Sequence, residues 1–493
     1  MITRREFISG SVALALAPTA PRKQPLRSKP IFVNDVHSQL NFTRVKKILQ
    51  PQSVEEVQRI IHSARKDRNV ISVAGGRHAM GGQQFGTDAL LIDITKRSRV
   101  LHLDQEKGIL EVEAGIEWPA LINRSLALQK GEQQWGIAQK QTGADRLTIS
   151  GTISANAHGR GLQMKPFISN VESLELVDAT GSTRTCSRTE NAELFCLVQG
   201  GYGLFGIITS ARLRLVPRQK VERVVEISTT DDLIEQFGRR ISDGFLYGDF
   251  QFAIDRDSED FLRRGVFSCY RPVPMETPIP AGEKELSDEN WRQLLYLAHT
   301  DKTKAFERYS EYYLSTNGQV YWSDTHQLSV YPENYHRQID QRLHVPFPAT
   351  EIIGEINVPR PMLKDFFDEV REDFRKNNVE VIYGTVRLIE QDDESFLAWA
   401  RQPYACTIFN LHTMHTPDGV RRSSETFRRL IDMAVRRGGT FYLTYHRDAT
   451  RSQIESCYPQ FAEFLRLKKK YDPEERFQSE WYRDYRRVFA DAN

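Results

Sequence analysis

The sequence predicts an α+β protein organised in more than one domain. Its length of 493 residues exceeds what a single hydrophobic core supports, so two or three domains are expected. Residues 47–82 have the pattern of a strand, an amphipathic helix, a second strand and a glycine-rich loop. From residue 221 onward, strands and helices alternate in a pattern typical of one sheet covered by helices. A loop-bearing first domain is therefore expected to precede a larger sheet domain.

The bulk composition is that of an ordinary globular protein. Hydrophobic residues make up 40% of the chain and charged residues 27%, and the formal net charge is only +2. Such a balance gives no strong attraction to nucleic acid or to an anionic membrane, so no nucleic-acid partner is expected. The five cysteines are odd in number and show neither metal-ligand spacing nor a disulfide framework. The sequence therefore predicts no metal site.

The first twenty residues resemble a twin-arginine export signal. Arg4 and Arg5 precede a short apolar segment, Phe7–Ala17, that ends in small residues suited to cleavage. This segment is much shorter than the ~20 residues that span a bilayer, so no stable membrane anchor is expected. A basic, disordered start is the alternative. We expect a signal peptide over residues 1–20, a flexible leader over 21–39, and a periplasmic or secreted protein that engages the twin-arginine export machinery.

The first element of the mature protein is a strand at Lys47–Leu49, which a helix follows. Ser53 and Glu56 form a capping-box pattern at the helix start, and apolar residues then recur at helical spacing. The next strand, Val70–Val73, leads into a loop with four glycines over residues 75–82. Backbone N–H groups in such a loop can form an anion-binding concavity suited to a pyrophosphate. A tight turn with a solvated histidine is the alternative, and no G-x-G-x-x-G opens a helix here.

The loop sequence Gly75-Gly76-Arg77-His78-Ala79-Met80 resembles the flavin loop of the vanillyl-alcohol-oxidase family, whose members carry a PCMH-type FAD-binding domain. The resemblance implies an FAD cofactor bonded covalently through His78 to the 8α-methyl group of the flavin. Ala79 departs from the usual serine of the family, which removes one hydroxyl donor to the phosphates. The resemblance implies FAD contacts from the loop residues Gly75, Gly76, Arg77, His78, Ala79, Met80 and Gln83.

A second stretch with the same resemblance covers residues 142–159. It follows predicted strands at 90–94 and 109–112 and a predicted helix at 117–128. Small and hydroxyl side chains dominate it, and a Gly/Ser loop with an incidental histidine is the alternative. Because it contains no cysteine, any covalent flavin bond is expected through the loop histidine alone. The resemblance implies FAD contacts from Thr142, Asp145, Thr148, Ser154, Asn156, His158 and Gly159.

A third motif follows a predicted hairpin over residues 171–186 and a short helix that begins at Asn191. Gln199–Thr209 resembles the family's Arg-Gly-Gly-x-Gly-x-Phe-Gly-Ile-Val-Thr segment, with glutamine in place of the usual arginine. The resemblance implies that the backbone of Ile207 contacts the adenine end of FAD. Three motifs in the family order assign residues 40–218 to the PCMH-type FAD-binding domain, which has two subdomains in the family.

The family's second domain is a cap that lays substrate over the flavin, and the resemblance implies an α+β cap over residues 219–453. Arg387 matches the arginine of a Glu-x-Arg pair in sugar-oxidising relatives, whereas Thr385 replaces the carboxylate. His412 and His446 follow predicted strands, and either can act as a general base near neutral pH. Polar residues that merely line a solvated crevice are the alternative. Residues 286–313 have helical spacing, and a helix is also predicted over residues 454–469. Residues 454–493 resemble the family's closing segment, which returns to the FAD domain.

These features predict an FAD-dependent oxidoreductase that oxidises a CH–OH group of an alcohol, polyol, sugar or lactone by hydride transfer to flavin N5. The resemblance leaves the electron acceptor open. Two alternatives remain: an NAD(P)H-dependent reductase similar to the sterol-reducing relatives, and a non-catalytic flavin-binding protein. Changes from the family pattern at Ala79, Gln199 and Thr385 are what the second alternative would produce.

Overall fold

The computed structural model describes residues 30–490 apart from positions 132, 283, 330, 331 and 333. The expected signal peptide and residues 21–29 of the expected leader lie outside the described residues. From Ile31 onward the chain forms one compact unit. In this described part, every helix is too short or too polar to cross a membrane.

The chain up to Pro217 folds into two main sheets with helices beside them. A parallel sheet has the order β3-β5-β4, and an antiparallel sheet has the order β10-β9-β11-β7-β6. The strands are β1 (Ile31–Val33), β2 (Thr43–Val45), β3 (Lys47–Leu49), β4 (Ile71–Ala74), β5 (Leu90–Asp93), β6 (Val100–Asp104), β7 (Ile109–Glu113), β8 (Trp135–Gly136), β9 (Val171–Val177), β10 (Thr183–Ser187), β11 (Ile207–Arg214) and β12 (Val216–Pro217). The helices are α1 (Val54–Lys66), α2 (Trp118–Leu128), α3 (Ile149–Ala155) and α4 (Ala192–Val198).

Helix α1 shows how the local sequence sets these elements. The Ser53 side chain accepts a hydrogen bond from the Glu56 backbone N–H at 3.2 Å, as the capping pattern predicts. The Glu56 carboxylate reaches back one residue further than expected and accepts from the Gln52 N–H at 2.7 Å. The apolar stripe of α1 is buried in a cluster that also contains residues of both sheets, so it joins them: Val57, Ile61, Ala64, Ile71, Ile92, Val177 and Ile207.

The chain from Lys220 onward is built on one eight-stranded antiparallel sheet with the order β16-β13-β15-β14-β18-β19-β17-β20. Its strands are β13 (Lys220–Thr229), β14 (Tyr247–Phe252), β15 (Arg264–Val273), β16 (Val320–Trp322), β17 (Ala349–Pro359), β18 (Val381–Ile389), β19 (Tyr404–Met414) and β20 (Thr440–Phe441). The helices are α5 (Leu233–Ser242), α6 (Asp288–Thr300), α7 (Lys302–Ser315), α8 (Tyr335–Leu343), α9 (Leu363–Lys376), α10 (Pro417–Val435), α11 (Arg451–Cys457), α12 (Phe461–Tyr471) and α13 (Glu480–Val488). The mixture of strands and helices confirms the predicted α+β class.

The two faces of this sheet differ in chemistry because side chains alternate along each strand. One face is aromatic and packs on helices; the ring of Phe409 lies 5.4 Å from that of Phe374 in α9. The other face carries polar residues, and Glu351 on β17 lies directly opposite His412 on β19. This polar face turns toward the first half of the chain, since His158 reaches it and hydrogen-bonds Glu355.

Two predicted helices are each divided in the structure. The segment predicted as one helix over residues 286–313 breaks at Asp301, whose side chain accepts from the Lys304 N–H at 3.0 Å and starts α7. The segment predicted as one helix over 454–469 breaks after Cys457, because Pro459 lacks the N–H that a continuous helix would need. In both places a local cap or breaker overrides the longer apolar periodicity.

The two ends of the described chain pack on the first half of the protein. Strand β1 lies within residues 21–39, the stretch expected to be a leader, and pairs antiparallel with β2. Near the carboxyl terminus, the Ile71 N–H donates to the Arg476 carbonyl at 2.7 Å, and the Gln478 N–H donates to the Ile71 carbonyl at 2.8 Å. The closing segment therefore runs beside β4, the strand that leads into the glycine-rich loop.

Candidate functional site

The glycine-rich loop and the second motif line one cleft. Loop residues 75–79 line it together with residues drawn from 141–157. Tyr202 of the third motif and Tyr445 from the last part of the chain complete the wall. The fold thus brings all three family motifs, which are far apart in sequence, to one site.

Glycine is required where the first two motifs touch. A Cβ added at Gly75 would lie 2.1 Å from Thr148 Oγ1, and one at Gly76 would lie 2.0 Å from the Arg146 carbonyl oxygen. The next residue, Arg77, has a φ of 61°, a left-handed conformation that is uncommon outside glycine. The loop therefore offers backbone rather than side chains to the cleft on this side. A flat ring and a pyrophosphate need such a wall, so the residues fit FAD.

His78 lies in this wall and is paired with a second histidine. Its Nδ1 lies 2.8 Å from His37 Nε2, so one ring nitrogen donates to the other. Burial and the neighbouring His37 lower the pKa of His78 to about 3, and burial lowers the pKa of His37 to about 4. Both rings are therefore neutral at physiological pH. A neutral imidazole retains the lone pair that a covalent bond from nitrogen to carbon requires.

The predicted cofactor residues divide into two groups. Those that line the cleft are Gly75, Gly76, Arg77, His78, Ala79, Gln83, Thr148 and Ser154. Those that lie outside its lining in the described structure are Met80, Thr142, Asp145, Asn156, His158, Gly159 and Ile207.

Residues of the second group have other contacts in the fold. Asp145 forms an ion pair with Lys140 Nζ at 2.8 Å, and the Asn156 side chain donates to Asp392 at 2.8 Å. Ile207 is buried in the cluster beneath α1, whereas its neighbour Ile208 lines the cleft. Successive strand residues point to opposite faces, which explains this one-residue difference.

Several residues of the lining were not predicted as site residues from the sequence. They include His37, Gln84, Gln141, Tyr202, Ile353, Tyr442, Thr444 and Tyr445. Tyr202 stands inside the third motif, so that motif could have identified it. His37 lies in the expected leader and Ile353 on β17, and neither position carries a local signal.

Arg387 lies on the polar face of the large sheet and is almost fully buried. Only 4% of the residue is exposed, and its Nε and Nη1 atoms make no hydrogen bond to the described residues. It is directly opposite Cys406 on β19. Burial raises the pKa of Tyr445, a residue of the cleft wall; the charge of Glu355 adds to this rise and that of Arg387 opposes it. A buried guanidinium with unused donors is a strong site for an oxygen-bearing ligand.

Glu355 is the carboxylate closest to this arrangement along β17. Its Oε1 lies 2.7 Å from His158 Nε2, and its buried Oε2 has no hydrogen-bond partner among the described residues. His158 Nδ1 is directed at the Gly159 carbonyl at 3.0 Å. Ile353, two residues before Glu355 and on the same sheet face, lines the cleft. Glu355 and Arg387 both lie outside the lining of the cleft, but Glu355 is two residues from it on the same sheet face and has one oxygen still able to accept a hydrogen bond.

The two predicted base histidines lie in different surroundings. The His446 ring is stacked on Phe427 at 4.3 Å, next to Phe441, and its two nitrogens have no hydrogen-bond partner among the described residues. Burial lowers the pKa of His446. Thr444 and Tyr445 line the cleft, whereas His446 and His412 lie outside its lining. His412 is on the polar sheet face beside Glu351, at 3.4 Å.

Comparison with protein families gives two matches along the chain. The family described as FAD binding domain matches residues 45–187, the region that carries the first two motifs. The family described as D-arabinono-1,4-lactone oxidase matches residues 280–485, which include most of the large sheet and the closing segment. Both matches fall on the parts of the chain that line the cleft.

Individual relatives give the same picture over part of the chain. L-gulonolactone oxidase of Bos taurus is 32% identical over 187 residues, which are 38% of this chain and 41% of the relative. Cytokinin dehydrogenase 3 of Oryza sativa subsp. japonica is 31% identical over 176 residues, 34% of this chain and 32% of the relative. The similarity therefore spans less than half the length of these relatives.

Proposed function

We propose that this chain, which belongs to the vanillyl-alcohol-oxidase family of FAD-dependent oxidoreductases, oxidises the CH–OH group of an alcohol, polyol, sugar or lactone. The main support is that a cleft suited to FAD lies beside a sheet face that carries a buried arginine and a buried carboxylate, both with unused hydrogen-bonding atoms. We also propose that the parallel and antiparallel sheets of the first half are the two subdomains of the family's FAD-binding domain. Bound FAD would supply the hydride acceptor, flavin N5.

The chain's own residues would hold the substrate hydroxyl and take its proton. Arg387 would donate to the substrate oxygen through its unpartnered nitrogens, and Glu355 Oε2 would accept the hydroxyl hydrogen. The family's Glu-x-Arg carboxylate is missing at Thr385. Glu355 is two strands away on the same sheet face, because Thr385 lies opposite Ile408 on β19, and Ile408 lies opposite Glu355 on β17. It would therefore replace the missing group.

The experiment for this function is anaerobic reduction of the protein's bound flavin. The purified FAD-loaded protein is mixed with alditols, aldoses, aldonolactones and simple alcohols, and the oxidised flavin absorbance is followed. We expect at least one of these classes to bleach it. Bleaching by NADH or NADPH alone would instead support the reductase alternative. A flavin that none of these donors reduces would support a non-catalytic binding protein.

A covalent bond between His78 and the flavin is part of the same proposal. The neutral state of His78, its place in the cleft wall and its contact with His37 support it. Acid-denatured protein run on a gel should show flavin fluorescence that His78→Ala abolishes. Yellow native protein with no fluorescent band would mean that FAD is bound without a covalent link.

We propose export through the twin-arginine pathway because of the Arg4-Arg5 motif and the apolar segment after it. Folded export suits a protein that binds its cofactor before it leaves the cytoplasm. A Lys-Lys replacement of the two arginines should retain the protein in the cytoplasm of a bacterial host. Unchanged export of this variant, measured by cell fractionation, would contradict the proposal.

A further inference from the structure

A second group of polar residues lies further along the same sheet face. It is centred on Glu351 of β17, whose side chain is 6% exposed. Four of the protein's twelve histidines act on this one carboxylate. Two of them contact it directly, His299 at the end of α6 and His412 on β19. The other two, His336 and His415, lie close enough for its charge to affect them.

The distances in this group are those between ligands of one metal ion. Glu351 Oε1 lies 3.0 Å from His299 Nε2 and 3.4 Å from His412 Nδ1. A metal with bonds of 2.0–2.2 Å to nitrogen and oxygen holds neighbouring ligand atoms about 2.9 to 3.4 Å apart. The ligand atoms of the three residues all lie within 4.8 Å of one another. His412, with 26% of its side chain exposed, has room to bring its ring nitrogen to the third ligand position.

The position of the hydrogen on the His299 ring also fits a metal ion bound between these residues. Its Nδ1 is 2.7 Å from the Leu295 carbonyl, which can only accept, so Nδ1 carries a hydrogen. In the neutral ring, Nε2 then presents a lone pair to a carboxylate oxygen. Two lone pairs at 3.0 Å need a positive species between them. That species is either a second proton on the imidazole or a metal ion.

The outer contacts are those that orient metal ligands in proteins. A histidine ligand usually donates its other ring N–H to a carbonyl or carboxylate, as His299 does to Leu295. A carboxylate ligand is usually held by a further hydrogen bond, and the Tyr335 hydroxyl donates to Glu351 Oε2. His336, beside Tyr335, is buried, and its Nε2 has no hydrogen-bond partner among the described residues.

We propose that His299, Glu351 and His412 form a binding site for a divalent transition-metal ion of the zinc class. Two imidazoles and one carboxylate are a ligand set that zinc and iron accept, with positions left for water or another oxygen ligand. The site lies on the polar sheet face beside the cleft, because Glu351 is two residues from Ile353, a residue of the cleft wall. This inference is independent of the reaction proposed above.

The test uses the full mature chain with its flavin. The protein is stripped with a chelator, dialysed, and titrated with Zn²⁺ and Co²⁺, and bound metal is counted by mass spectrometry. We expect one ion per chain, with cobalt giving the visible absorption of a low-coordinate site. Glu351→Gln and His299→Gln should lose this stoichiometric ion. Tyr335→Phe should retain the site with affinity reduced about 10–100-fold.

The matched control is Glu355→Gln, which makes the same substitution four residues further along β17 and should leave the bound metal unchanged. Ligand atoms of His158, Glu355 and Cys406 also lie within 4.8 Å of one another. Loss of the ion in Glu355→Gln with retention in Glu351→Gln would therefore overturn the proposal. If Glu351→Gln or His299→Gln fails to fold, His412→Gln, at the most exposed ligand, gives the same comparison. Wild-type protein that binds no stoichiometric Zn²⁺ or Co²⁺ would overturn the proposal. Equal metal content in wild type and a folded Glu351→Gln or His412→Gln variant would also overturn it. Flavin content, recorded in parallel, separates this result from the test of the oxidoreductase.

Discussion

Strand β17 carries two glutamates on one sheet face, each hydrogen-bonded to a histidine, and the two groups differ in exposure. The Glu355–His158 pair is buried, with side-chain exposures of 0% and 1%. Around Glu351 the exposed fractions are 6% for the carboxylate, 4% for His299 and 26% for His412. Only the second group has a partly exposed member and more than one histidine. The same residue pair can therefore act as a buried proton acceptor in one place and as part of the proposed metal site in the other.

The largest expected effect is on the rate of flavin reduction, through the buried Glu355–His158 pair. Glu355→Gln should slow reduction of the bound flavin by about 10²–10⁴-fold, the usual contribution of a positioned proton acceptor. Glu351→Gln removes the same charge from the same strand face and should slow it far less. Stopped-flow absorbance of the bound flavin measures both rates. If the two variants lose the same factor in reduction rate, Glu355 has no special role as the proton acceptor.

The next effect concerns stability. His158→Ala leaves Glu355 buried without its partner and should lower the free energy of unfolding by about 3–5 kcal/mol. His412→Ala, at a partly exposed position, should cost about 1 kcal/mol or less. Urea denaturation of chelator-treated protein, followed by tryptophan fluorescence, compares the two. A larger loss of unfolding free energy for His412→Ala would mean that the exposure of the histidine does not determine how much stability its removal costs.

His37 and His78 extend the comparison to two partly buried histidines that contact each other. Because both rings are neutral, His37 can accept the proton that His78 must lose when it forms a covalent bond. His37→Ala should slow covalent flavin attachment by about 10²-fold. The exposed His102→Ala is the control, and in-gel flavin fluorescence during reconstitution with FAD is the measurement. Attachment at the wild-type rate would assign no role to His37.

The smallest effect is a pH dependence of the Glu351 group without metal. Burial alone would lower the pKa of His299, but its hydrogen bond to Glu351 raises it on balance above the ordinary value of 6.5. Burial opposes ionisation of Glu351, yet the hydrogen bonds from His299 and His412 lower its pKa below the ordinary 4.5. The His299 contribution to stability is thus complete below pH 6.5 and lost as pH rises through its folded pKa. The Glu351 contribution is complete above pH 4.5 and lost in stronger acid.

Wild type should therefore exceed His299→Gln in unfolding free energy most at about pH 5–6, with the gap narrowing above pH 6.5. Zinc-loaded protein should show the opposite trend, since metal binding strengthens as histidine loses its proton. Denaturation across this pH range, with and without zinc, measures both. A gap that widens with pH in chelator would contradict the assignment of a charged His299–Glu351 pair.

The local sequence was sufficient for much of the FAD-binding half. Ser53 and Glu56 predicted the start of α1, and the 171–186 hairpin formed as β9 and β10. The glycines of the 75–82 loop predicted a backbone that a ligand can approach closely, whereas their contacts with Thr148 and Arg146 became visible only in the structure. The long helices predicted over 286–313 and 454–469 were wrong at their breaks, because a cap and a proline act within one turn and outweigh periodicity.

The sequence by itself determined the resemblance to FAD-dependent oxidoreductases, the glycine-rich loop with His78 and the α+β class, because each is encoded in contiguous residues whose backbone needs are local. Only the tertiary structure decided which distant side chains share a site. His37 reaches His78, Glu355 reaches His158, and Glu351 gathers histidines from α6 and β19. These pairings depend on strand register and on which face of a sheet a residue occupies. Neither strand register nor sheet face can be predicted from a short stretch of sequence alone.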